Sequence, residues 1–274
     1  MSRRRSAVLA WVAACALGAA VLAGCGADVE SHTTPTSDQS AGLAQLTAEP
    51  TPTVRLTARP APPGTPAPAP AAPAAPPAPA GTLAFHVQHR TQLRTAPHGK
   101  VVATIPTKTE FNSPTILAVV HRRPGWVQVR TSVAKHTTGW LPQKVGGLFS
   151  EPRTIVIDLS RRTLSVYHRG HRSGVYKVAV GTDVTPTPRG KFAITDRLTV
   201  PPGTDYGCCI LALTARQPKI LQGWGGGDRV AIHATPELSA IGRSVSHGCV
   251  RATDETLRRL MRQMRLGAQV TIHA

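Results

Sequence analysis

Residues Ile232–Arg251 read IHATPELSAIGRSVSHGCVR, and the rest of the chain is understood from this stretch. It holds His233, His247 and Cys249 close together, with Gly248 directly before the cysteine. A thiol attacks a carbonyl only as the thiolate, and an unassisted cysteine with a pKa of ~8.5 is mostly protonated at neutral pH. A histidine close in space takes that proton and later returns it to the leaving group. Gly248 has no Cβ, so the backbone can turn until the N–H groups of Gly248 and Cys249 face a developing oxyanion. These residue types at this spacing point to acyl transfer through a thioester.

Ile232-His233-Ala234-Thr235, Ile241-Gly242 and Ser246-His247-Gly248-Cys249-Val250-Arg251 together resemble the signature of the L,D-transpeptidase (YkuD-type) catalytic domain. That pattern has an upstream His, usually followed by Gly-Thr, and a downstream Ser-His-Gly-Cys. Ala234 departs from it where Gly is usual. Read from the residues alone, either histidine can serve Cys249. His247 lies two positions away, on the same side of an extended segment. His233 ends a separate apolar run, Val230-Ala231-Ile232, and would approach from a neighbouring strand. The resemblance implies that His233 is the proton acceptor and donor, with its far nitrogen held by a backbone carbonyl. His247 and Ser246 then support the site, and Gly248 contributes an oxyanion N–H. A zinc triad of His233, His247 and Cys249 is the rival chemistry; it lacks paired CxxC or HExxH spacing and would consume the nucleophile.

The chain opens with Arg3-Arg4-Arg5, an apolar run from Ala7 to Val21, and Leu22-Ala23-Gly24-Cys25. A charged start, a short apolar centre and small residues at its end describe a secretory signal over 1–24. Leu-Ala-Gly-Cys resembles the bacterial lipobox, which implies that Cys25 carries a diacylglyceryl group and anchors the protein to the outer face of the cell membrane. Residues 25–81 run through polar residues into the Pro/Ala tract Arg59–Ala80. Such composition cannot bury enough apolar surface to offset chain entropy. It reads as a disordered spacer, extended at about 3.1 Å per residue where polyproline II forms, or as a Pro-rich ligand.

Over 82–147 the apolar runs Val101–Ile105, Ile116–Val120 and Trp126–Val129 have strand length. Pro97-His98-Gly99, Asn112-Ser113-Pro114 and Pro124-Gly125 separate them as turns. A Trp strand followed by Gly139-Trp140-Leu141 resembles bacterial SH3-like modules, which implies a small β-barrel that either touches wall polymers or only packs. The segment 152–274 predicts a hairpin of Thr154–Ser160 and Thr163–Tyr167, and strands at Val175–Val180, Cys208–Leu213, Arg229–His233 and Gln269–His273. Pro186-Thr187-Pro188-Arg189-Gly190-Lys191-Phe192 resembles the family's Thr-Pro-x-Gly-x-Phe loop. One helix is expected, capped by Thr253, with Asp254 and Glu255 at its positive end and Leu257, Leu260, Met261 and Met264 as its apolar stripe. The fold class is mainly β: the SH3-like barrel, then a sandwich-like catalytic domain with one or two helices.

The net charge of +18 over 274 residues concerns surroundings rather than fold. No nucleic-acid motif accompanies it, so anionic wall polymers and lipid head groups are the expected counter-ions. Of five cysteines, Cys15 leaves with the signal and Cys25 is lipidated, leaving Cys208, Cys209 and Cys249. An odd thiol count outside the cell favours one staying reactive. Adjacent Cys208 and Cys209 would point to opposite faces of a strand, and a bond between neighbours is strained, so at least one is expected simply to fill core.

The resemblance implies a substrate and a reaction. Cys249 attacks the carbonyl between the third residue of a peptidoglycan stem peptide and a terminal D-alanine, and a second stem's amine resolves the thioester into a 3→3 cross-link. It implies no metal or organic cofactor. Arg251 is placed to orient a substrate carboxylate, or to form a surface ion pair. Two other readings remain: an L,D-carboxypeptidase in which water resolves the same thioester, and a non-catalytic wall-binding lipoprotein.

Overall fold

A computed structural model of the chain describes residues 81–133 and 135–274. The expected signal, the lipidation site at Cys25 and the spacer up to residue 80 lie outside the described residues. What is described is mainly β, with one α-helix among the described residues.

The first sheet is antiparallel throughout and contains β1 (Thr82–Val87), β2 (Thr91–Arg94), β3 (Val101–Ile105), β4 (Ile116–Arg123), β5 (Trp126–Arg130), β6 (Thr138–Pro142) and β7 (Gly146–Glu151). Their order is β3-β2-β6-β5-β4-β1-β7. β5 shows how such strands arise: Val127 and Val129 are buried while Trp126, Gln128 and Arg130 are only partly so, the period-2 alternation of a sheet with one apolar face. Phe85, Val87, Leu93, Ile105, Leu117 and Leu141 complete that core. β7 pairs with β1 from Gly146 to Glu151, so the sheet runs past the expected boundary at 147. GGLFSE carries a weak alternation and two glycines, which hid the strand.

The second sheet begins with β8 (Arg153–Asp158) and β9 (Thr163–His168), the expected hairpin, followed by β10 (His171–Lys177). The expected strand over 175–180 is divided: β10 ends at Lys177, and the short β11 (Val180–Gly181) pairs elsewhere. Next come β12 (Gly190–Thr199), β13 (Cys209–Arg216), β14 (Arg229–Ala234), β15 (Ser244–Ser246) and β16 (Val250–Ala252). Helix α1 (Asp254–Gln263) and β17 (Gln269–His273) close the chain. The order is β10-β9-β8-β17-β12-β13-β14-β16, with β11 and β15 forming a separate parallel pair. β13 and β14 are buried along almost their whole length, as strands covered on both faces must be. Helix α1 packs on both of them through Leu257 and Leu260. Thr253 caps it by accepting the Thr256 N–H at 3.2 Å, as its sequence predicts.

Cys208 and Cys209 are joined by a disulfide. That corrects the expectation that one of them only fills core. The chain leaves a glycine turn at Gly207 just before β13, so the two side chains are not held on opposite faces of a regular strand. Cys249 is then the free thiol among the described residues.

Candidate active site

The local architecture follows from one parallel pairing. β14 and β16 lie side by side with Ile232 opposite Val250, His233 opposite Arg251 and Ala234 opposite Ala252. Cys249 immediately precedes β16 and so falls beside Ala231, whose N–H donates to its Sγ at 3.3 Å. Two segments separated in sequence thus meet at the sulfur.

The turn that delivers Cys249 is built by Ser246. Its hydroxyl, fully buried, donates to the Cys249 carbonyl at 2.5 Å and accepts the Gly248 N–H at 3.1 Å. Gly248 has φ of 111°, and a Cβ there would stand 3.0 Å from Cγ of Gln217, so glycine is required both for conformation and for space. The Gly248 N–H, expected to face an oxyanion, is bonded to Ser246, while the Cys249 N–H makes no hydrogen bond among the described residues. The bend also overturns the expectation that His247 and Cys249 face the same way. His247 is exposed while Cys249 is 3% exposed, because the segment is not extended between them. The same divergence separates the proposed zinc triad, and no group of three or more His, Cys, Asp or Glu is placed to hold a metal among the described residues.

His233 is buried, and its Nδ1 lies 2.6 Å from the Ala234 carbonyl. A carbonyl can only accept, so Nδ1 carries the hydrogen and Nε2 is left with its lone pair. Burial pushes the ring down to about 4, opposed by the Ala234 hydrogen bond and reinforced by the Arg251 charge. Burial likewise pushes the Cys249 thiol up to about 11, against the lowering influence of the Ala231 N–H and of Arg251. Both shifts favour neutral groups: in this conformation the pair is thiol and imidazole, and no hydrogen bond joins them among the described residues. Tyr206 connects the two, its ring 4.7 Å from that of His233 and its hydroxyl raised by burial and then by the nearby Cys249.

The sulfur is covered by the segment between β13 and β14. Gln222 Oε1 accepts its S–H at 3.2 Å, while Gln222 Nε2 donates to the His247 carbonyl at 3.1 Å. Trp224 lies beside it and donates from Nε1 to the Arg229 carbonyl at 3.2 Å. Tyr206, Gln222 and Trp224 escape the sequence reading, since no periodicity or motif marks them; the run Gly225-Gly226-Gly227 before β14 was the available signal. Arg251 stands next to the site with Nη1 3.5 Å from the exposed Glu237 carboxylate, and its Nε is buried without a partner among the described residues. Ala234 is accommodated because residue 207 is glycine: a Cβ there would lie 2.5 Å from the Ala234 methyl.

The catalytic-domain signature of the L,D-transpeptidase (YkuD) family matches residues 152–272. The YkuD protein of Bacillus licheniformis is 35% identical over 121 residues, 44% of this chain and 66% of that protein. The YkuD protein of Bacillus subtilis is 30% identical over 125 residues, 46% of this chain and 68% of that protein. The chain therefore belongs to the YkuD-type L,D-transpeptidase family; it covers just under two thirds of the first relative's length and just over two thirds of the second's. An L,D-transpeptidase structure from Mycobacterium smegmatis aligns with 58% of this chain and 90% of that one at 18% identity and a TM-score of 0.38, a likeness too distant to carry weight.

Proposed function

We propose that the protein forms 3→3 cross-links between peptidoglycan stem peptides through a Cys249 thioester. The observation that carries this reading is the parallel pairing of β14 with β16, which brings the free thiol of Cys249 beside Ala231, two positions before His233 on the same strand, in a family member. With Nδ1 bonded to Ala234, His233 offers Nε2 to take the thiol proton. The thiolate adds to the carbonyl between the third stem residue and D-alanine, and the Cys249 N–H donates to the oxyanion. Collapse breaks the C–N bond as His233 returns its proton to the departing amine. The amine of a second stem then attacks the thioester, loses a proton to His233, and releases the thiol.

Cys249 is 3% exposed, so stem peptides enter only when the Gln222–Trp224 segment moves aside. Water entering with that movement relieves the desolvation that holds Cys249 and His233 neutral. Arg251, beside the site and partly exposed, is in this reading the group that meets a stem carboxylate. His247 then contributes through its backbone carbonyl, which fixes Gln222, rather than through its ring.

The protein acts, in this reading, as a lipoprotein. Cys25 anchors it to the outer face of the cell membrane, the Pro/Ala tract carries 82–274 into the wall, and the +18 charge suits anionic wall polymers. The first sheet is its SH3-like module. Incubation with tetrapeptide stems followed by mass spectrometry tests the reaction: cross-linked dimer with release of D-alanine is expected. Tripeptide alone would instead assign an L,D-carboxypeptidase, and no turnover by folded protein a wall-binding role.

A further inference from the structure

The turn between β3 and β4 belongs to the first sheet, yet three consecutive side chains on it reach into the second. The Thr109 hydroxyl donates to Asp196 Oδ1 at 2.5 Å. The Glu110 carboxylate pairs with Arg229 Nη1. The Phe111 ring stacks on Trp224 with centroids 5.4 Å apart, and the Arg229 guanidinium lies over both rings at 5.8 and 5.7 Å. The turn is itself braced, with Thr109 N–H donating to Ser113 O at 2.8 Å and Lys108 Nζ to Asn112 Oδ1 at 2.9 Å. Its targets are not peripheral. Arg229 is 3% exposed, begins β14 and donates through Nη2 to Asp196, 0% exposed, at 3.1 Å. Two residues later in β14, Ala231 donates to the Cys249 sulfur. Trp224 lies beside that sulfur, two residues from Gln222, which accepts its proton.

We propose that Thr109, Glu110 and Phe111 are positioning residues for Cys249. They hold Arg229 and Trp224, and through them both the start of β14 and the segment that covers the thiol. A junction that served only to join the two sheets would need apolar contact. A buried guanidinium shared among Asp196, Glu110, Thr195 and two aromatic rings costs desolvation and fixes one orientation in return. The first sheet is thereby part of the catalytic apparatus without touching substrate. This rests on Cys249 being the nucleophile.

The test compares full-length protein with its Phe111→Ala, Phe111→Tyr and Glu110→Gln variants. Iodoacetamide alkylation is followed on the Cys249-containing peptide across pH, beside kcat and KM for tetrapeptide stems and the melting temperature. Loss of the stacked ring in Phe111→Ala is expected to raise the alkylation rate about tenfold and lower kcat by a similar factor, with KM little changed and Phe111→Tyr restoring both. A folded Phe111→Ala protein whose alkylation rate is unchanged or slower, and whose kcat stays within about twofold, overturns the proposal. Should that variant not fold, Glu110→Gln decides in the same way, since the Glu110 side chain is 57% exposed and its melting temperature is read alongside. Cys249→Ala separates the two claims: turnover surviving there removes the nucleophile, while turnover lost there with Phe111→Ala unaltered removes only the positioning role.

Discussion

The first sheet closes on eight buried apolar side chains, from Phe85 to Leu141. The second is larger and interrupts its apolar centre with Asp196, Arg229, His233 and Cys249, all essentially inaccessible to water. Burying a polar group costs free energy unless it is fully partnered, and an ion pair in the interior rarely repays its desolvation. A sheet selected only for stability has no reason to gather such groups on β12, on β14 and at the entry to β16. The first sheet buries one charged side chain, Glu151, whose Oε1 accepts the Arg153 N–H at 3.0 Å, and holds no buried ion pair or histidine among the described residues. The proposed function accounts for His233 and Cys249, and perturbation of the two sheets should have different consequences.

The largest difference is expected at Arg229. Arg229→Met leaves the Asp196 carboxylate buried without its cation and should cost roughly 3–5 kcal/mol in urea unfolding; a loss below ~1 kcal/mol would mean that Asp196 is rescued by water. Next is the pH dependence of His233. Its folded pKa of about 4 lies below the ordinary 6.5, so the stability it represents is full above pH 6.5 and lost as pH falls toward 4, on the order of 3 kcal/mol in all. In His233→Gln that acid-side slope should vanish; a melting temperature that falls equally in both proteins would contradict burial of a neutral ring. A smaller effect is expected in the first sheet, where Ile105→Val should cost about 1 kcal/mol without altering alkylation of Cys249. The smallest is at His247, whose ring is exposed: His247→Ala should stay within ~0.5 kcal/mol and leave turnover nearly intact.

What the sequence disclosed, and what it withheld, divides along a physical line. Strands such as Trp126–Arg130 and helix α1 are legible because burial repeats along them with a fixed period, and Thr253 announces the helix start by its own hydrogen-bonding chemistry. His233 and Cys249 are legible because their short segments carry the resemblance. The consequences of a bend are not legible. Gly248 at positive φ turns His247 outward and gives its N–H to Ser246, which no two-residue alternation reveals. Nor is anything made by long-range contact legible: Gln222 on the sulfur, Tyr206 on His233, and Glu110 on Arg229 are each brought together from distant parts of the chain. The bonded Cys208–Cys209 pair is hidden for a related reason: the chain emerges there from a glycine turn and is not yet a regular strand.

The most direct measurement is the intact mass of the protein during turnover of a tetrapeptide stem. A transient increase equal to the acyl tripeptide, located on Cys249 by peptide mapping and accompanied by one released D-alanine, is expected. Cross-linked product accumulating without that adduct, or equally well from Cys249→Ala, would contradict a thioester at this sulfur.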